Sequence, residues 1–98
     1  MYARVTTTHM LPAKSEEAIR LWEDSVLPAA RQQKGFKSAR LLVDRKTGKS
    51  LSVVMWETSA DALATGESSA YLKEQLAKFA GLFTAPPVVE QFEVAVET

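Results

Sequence analysis

The sequence predicts an α+β domain in the order βαββααβ, a four-stranded antiparallel sheet with helices on one face. Three observations predict it. Leu51–Trp56 is a β-branched, apolar run that passes straight into a helix start at Thr58-Ser59. An apolar stripe at helical spacing, Ile19, Trp22, Val26 and Ala30, precedes it. After Pro86-Pro87 comes a final alternating segment, Val88–Val96.

The elements follow in order. Tyr2–Met10, with Val5 and three threonines before Pro12, predicts the first strand. Ser15-Glu16-Glu17 offers a cap and an acidic first turn for the long helix. Pro28 lies inside that helix, removes a donor and predicts a kink or a split, with Pro28–Lys34 as a separate turn or two. Gly35 suits a left-handed end. Phe36–Val43 is the second strand, and Asp44–Lys49 with Gly48 forms a hairpin loop into the third. A short helix from Ser59 to about Thr65 starts with the Thr58 or Ser59 cap and carries Asp61 in its first turn. Beyond Gly66, Ser68 or Ser69 caps a longer helix to about Leu82, with Leu72, Leu76, Phe79 and Phe83 on one stripe.

Pairing Asp44 with Lys49 places Leu41, Val43, Val54 and Trp56 on one sheet face, and Leu42, Leu51, Val53 and Met55 on the other. One helix layer covers only one of these faces. A second copy of the sheet, packed face to face, is the expected cover, so the chain reads as a homodimer.

Composition narrows the function. The 98 residues make one domain, 1–98, with twelve basic and twelve acidic side chains and no basic block for phosphates. Nucleic acid is not an expected partner, and neither is a membrane, since no apolar run is long enough to span one. With no signal-peptide opening the chain reads as cytoplasmic. The absence of cysteine and the single histidine predict no metal site.

Gly35-Phe36 at the start of the second strand, Trp56-Glu57-Thr58-Ser59-Ala60-Asp61-Ala62-Leu63, and Pro86-Pro87 before Glu90-Gln91-Phe92-Glu93-Val94 resemble the ferredoxin-like, dimeric α+β barrel superfamily. Within it they are most similar to the antibiotic biosynthesis monooxygenase-like branch. The resemblance implies a monooxygenase-like protein that oxidises a small aromatic or quinol substrate in an apolar cleft with no bound cofactor. It also leaves open a non-catalytic, dimeric small-ligand-binding or stress-associated protein. Many members carry a histidine nine residues after the aromatic that ends the third strand; here that residue is Thr65. The haem-degrading relatives use an asparagine, a tryptophan and a histidine where an ungapped alignment gives Thr7, Thr65 and Gln75. The chain contains no asparagine, and glutamine does not ligate haem iron axially, so haem is not expected.

Three residues are the candidates for chemistry. His9 is the one side chain whose ordinary pKa suits a base at neutral pH, although a strand-end histidine bonded to backbone needs no function. Trp56 offers a ring to stack on an aromatic ligand and an indole donor, or simply packs the core. Tyr71 offers a phenol to the same pocket, with ordinary packing as its alternative. Arg4 and Arg40 are candidates for an anionic ligand, or are solvated at strand edges. Of Thr6, Thr7 and Thr8, at most one or two point the same way.

Overall fold

The computed structural model describes residues 1–98. Strands β1 (Tyr2–His9), β2 (Phe36–Asp44), β3 (Lys49–Trp56) and β4 (Val88–Glu93) form one sheet in the order β2-β3-β1-β4. Every neighbouring pair is antiparallel. β3 lies between β1 and β2, and β1 between β3 and β4, which interlocks two split βαβ units.

The hairpin register is the expected one, with Asp44 opposite Lys49 and Leu42 opposite Leu51. Asp44 Oδ1 accepts from the Lys46 N–H at 2.9 Å, and Gly48 takes φ +80°. Gly48 is needed there for a second reason. Its carbonyl accepts from the Met10 N–H at 3.1 Å, and a Cβ at this position would collide with the Met10 carbonyl oxygen. The hairpin tip is thereby docked on the end of β1.

The long helix departs from expectation. α1 (Ser15–Leu21) and α2 (Leu27–Arg31) are joined without a break by a π-helical turn over Trp22–Val26. Pro28 has no N–H, and its ring would press on the carbonyl one α-turn earlier. The wider turn meets that demand upstream of the proline, where the Leu27 N–H bonds the Trp22 carbonyl. The disturbance therefore falls before Pro28, and the helix ends at Arg31 rather than running to Lys34. Gly35, at φ +84°, follows in the connecting turn, with its face against the Asp61 side chain.

α3 (Ser59–Ala64) and α4 (Ala70–Ala77) begin where the sequence indicates. Thr58 caps α3 by accepting from the Asp61 N–H, and Ser69 caps α4 by accepting from the Leu72 N–H. α4 stops short of Leu82 in a series of turns, and β4 stops at Glu93, which pairs with Tyr2 at the beginning of β1.

All helices cover one sheet face. Its core comprises two groups: Met10, Ala18 and Phe79 toward one end, and Val54, Trp56 and Ala62 toward the other. The opposite face carries no helix. Leu42, Val88 and Phe92 there are about half exposed, at 49%, 52% and 51%. No helix is long and apolar enough to cross a membrane.

Candidate functional site

Between the sheet and the helices lies a cleft with about 60 Å³ open to the centre of a water molecule. That is several times the roughly 10–15 Å³ that one water needs. Its walls are apolar: Ile19, Trp22 and Val26 from the long helix, Leu72, Leu76 and Phe79 from α4 and the turn after it, and Leu41 and Val43 from β2. The π turn carries both Trp22 and Val26 onto this wall.

The floor is different. Thr6 stands opposite Ser52 and Thr8 opposite Ser50, and all four face the cleft. Strand alternation explains why Thr7, between them, faces the other side. Trp22 Nε1 donates to Ser52 Oγ at 3.0 Å. Gln75 closes the end of the floor, and its Oε1 accepts from Lys78 Nζ at 3.0 Å. No side chain lining the cleft is ionisable.

One pleat along β1 from Thr6 is Arg4, buried to 2% exposure. Arg4 Nη1 donates to the Ala62 carbonyl at 3.1 Å and to Thr65 Oγ1 at 3.0 Å. Its cation thus sits at the C-terminal end of α3, where the helix dipole is negative. The guanidinium also lies 4.9 Å from the centre of the Trp56 ring. The one ion pair of the chain joins Arg45 and Glu16 on the surface, so Arg4 has no carboxylate partner. Burial pulls the Arg4 pKa down to about 10, against an opposing pull from Tyr71. It remains charged at neutral pH. Burial likewise pushes the Tyr71 phenol above its ordinary range, while Arg4 draws it down. Tyr71 is therefore a hydrogen-bond donor near neutrality and not a base.

Two of the three sequence candidates come together and one does not. Trp56, fully buried, packs on the Arg4 guanidinium, and Tyr71 is near enough to Arg4 to feel its charge, but none of the three lines the cleft. Trp56 Nε1 has no hydrogen-bond partner, and Phe36 packs edge-on against its ring at 6.1 Å. His9 is exposed at the far end of β1, and its register places it on the helix-free face opposite Lys49. It shares no side of the sheet with Trp56 or Tyr71. Of the positions aligned with the haem-degrading relatives, Thr65 and Gln75 are buried on the helix side, whereas Thr7 is turned away. No group of three His, Cys, Asp or Glu side chains is placed to hold a metal ion.

The sequence did not single out Ser50 and Ser52. Their signal was present as two serines alternating with apolar residues in β3, but only pairing with Thr6 and Thr8 turns them into a floor. Arg40, the other arginine considered for anions, is on the helix-free face near Glu97.

No family model matches the chain. The uncharacterised protein Rv2557 of Mycobacterium tuberculosis is 30% identical over 95 residues, which cover 97% of this chain and 41% of that protein. A second uncharacterised protein of that organism, Rv2558, is also 30% identical, over 98% of this chain and 39% of its own length. The chain thus spans about two-fifths of the curated relatives it matches. Among solved structures, the monooxygenase from ActVA-Orf6 of Streptomyces coelicolor, in complex with nanaomycin D, superposes with a TM-score of 0.82 at 17% identity. The match covers 99% of this chain and 89% of that one. The chain therefore has the ferredoxin-like α+β fold found in structures of antibiotic biosynthesis monooxygenases.

Proposed function

We propose that this chain works as a homodimer and oxidises a small, neutral aromatic or quinol with dioxygen in the cleft, without a bound cofactor. The observation that carries the reading is the cleft itself: apolar walls, a hydroxyl floor, and a place in a fold shared with monooxygenases. A phenol that becomes a quinone takes one oxygen atom on a ring carbon and releases the other as water, and supplies all four electrons itself. The protein's part is then to hold the ring, exclude bulk water and supply a donor at one end. Tyr71, near Arg4 and outside the residues that line the cleft, is the proposed donor toward the developing oxygen charge of a substrate that extends past Thr6 toward Arg4. Arg4 is proposed to strengthen it, and Trp56 is proposed as the wall behind both. The absence of an ionisable side chain in the lining leaves the substrate's proton to oxygen or to groups at the cleft's end.

That same lining favours one second reading, a non-catalytic protein that holds a neutral aromatic ligand, consistent with Thr65 in place of a histidine. Oxygen uptake separates the two. With 1-naphthol as the probe, the oxygenase reading predicts consumption of one dioxygen per 1,4-naphthoquinone formed, with or without a chelator. Tyr71→Phe should slow it by about 10²-fold, the low end for loss of a positioned proton donor. His9→Ala should leave it unchanged. Saturable binding with no uptake above the protein-free rate would select the binding reading instead.

A further inference from the structure

We infer that the hydroxyl floor determines specificity: it is set to donate hydrogen bonds, so the cleft selects flat, uncharged ligands that bring an oxygen acceptor, a phenol oxygen or more strongly a quinone carbonyl, to the sheet. This rests on the reading of the cleft as a ligand site and adds what that ligand must carry.

Thr6, Thr8 and Ser50 are each more than nine-tenths buried and line the cleft. A few hydroxyls in an otherwise apolar cleft are the kind of polar group that fixes a ligand's orientation. Ser52 adds a direction. A hydroxyl has one proton and two lone pairs, and Trp22 Nε1–H already occupies a lone pair of Ser52 Oγ. The Ser52 proton is left available to a ligand in the cleft that Ser52 lines. Gln75 is biased the same way, because Lys78 takes its carbonyl oxygen and leaves the amide N–H groups free. Lys78 is fixed in turn by Ser25 in the π turn, at 2.8 Å.

The opposed pairs Thr6–Ser52 and Thr8–Ser50 make a patch about 5 Å by 7 Å, from cross-strand and along-strand spacing. Its width suits the edge of a ring system that carries oxygen. The walls above it are apolar and would exclude water from such a bond. A carboxylate would find no counterion among the lining side chains. Trp22 is therefore a positioning residue that acts through Ser52, and Ser52 is the contact.

Isothermal titration calorimetry with three probes of one ring size tests this: 1,4-naphthoquinone, naphthalene and 1-naphthoate. The chain has no cysteine, so the quinone meets no thiol to form an adduct. The protein should bind the quinone about ten-fold tighter than naphthalene, equivalent to one or two net hydrogen bonds. Naphthoate should bind more weakly than the quinone. Ser52→Ala should cut the quinone-to-naphthalene ratio by about 3–10-fold, with naphthalene affinity retained. Trp22→Phe, which keeps an aromatic wall but frees the Ser52 proton, should lower the ratio in the same sense. Thr7→Val, on the other face of the same strand, should leave it unchanged. A ratio that neither Ser52→Ala nor Trp22→Phe alters would overturn the donor floor while leaving the cleft as the ligand site. Tighter binding of naphthoate than of quinone would overturn it too, and would assign recognition to Arg4. If no probe binds, the reading of the cleft as a ligand site falls as well.

Discussion

Val53→Asp should convert the protein from dimer to monomer. In light scattering at micromolar concentration the parent chain is expected at about twice its 10.8 kDa, and the variant at about that mass. The reason lies on the face that the helices leave bare. Ala3, Val5, Leu51, Val53, Met55 and Phe92 share it by register, and its outer members are half exposed in the single chain. Such a patch on a lone domain would be an aggregation surface. A second copy, related by a twofold axis, would cover it with an interface at or above the ~1,600 Å² of a standard complex. The symmetry doubles the effect of any substitution. In such a dimer one Val53→Asp change would bury two carboxylates, each with only the cross-strand Arg40 beside it, at a net desolvation cost of several kcal/mol. A parent chain that runs as a monomer would remove the dimer from the proposal.

Trp56→Ala should lower the unfolding free energy by about 3–5 kcal/mol, read from the denaturant midpoint at an unchanged slope. Trp56 is the largest side chain with no exposure at all. It packs on Val54 and Ala62, meets Phe36 edge-on, and supports the Arg4 guanidinium. Truncation would open a cavity beneath a buried cation and remove its aromatic face in one step. Trp56→Phe separates packing from chemistry. The indole N–H has no partner, so its loss gives up no hydrogen bond within the chain. The phenylalanine variant should therefore lose far less stability than the alanine variant. If it also keeps full ligand affinity, Trp56 is a wall and not a donor.

The fold was legible where local pattern and global pairing agree. Asp44, Gly48 and the alternating residues on either side predict the hairpin and its register, and the register predicts the two apolar faces. Two caps were legible because Thr58 and Ser69 need only neighbours in sequence to accept their bonds, but Ser15 caps nothing: it is the first residue of α1, and its buried Oγ has no partner. The π turn was not. Pro28 announces a disturbance, but the helix resolves it a turn upstream, where Trp22–Val26 read as an ordinary amphipathic stripe. The helix ends at Arg31 and Ala77 were also missed, since the residues beyond continue the apolar spacing through turns.

The site was less legible than the fold. Arg4 lies among threonines in a strand, and nothing in its neighbours reveals that Ala62 and Thr65, some sixty residues later, will bury and bond it. His9 looked like a base by its chemistry, yet alternation along β1 already put it on the face of Val5 and Thr7. Only knowing which face the helices cover shows that this is the wrong side for the cleft. The floor hydroxyls are likewise a product of pairing between β1 and β3, which no single segment encodes.

The central claim is that ligands enter the cleft between sheet and helices. Two tryptophans give it a direct reporter, because the indole N–H groups should yield two resolved peaks in a proton–nitrogen correlation spectrum. Trp22 lines the cleft and bonds its floor, whereas Trp56 is buried beyond its end. On titration with 1,4-naphthoquinone the Trp22 indole peak should shift saturably, and the Trp56 peak should move little. A saturable shift confined to Trp56, or one confined to backbone amides of the helix-free face with both indoles unmoved, would contradict the account.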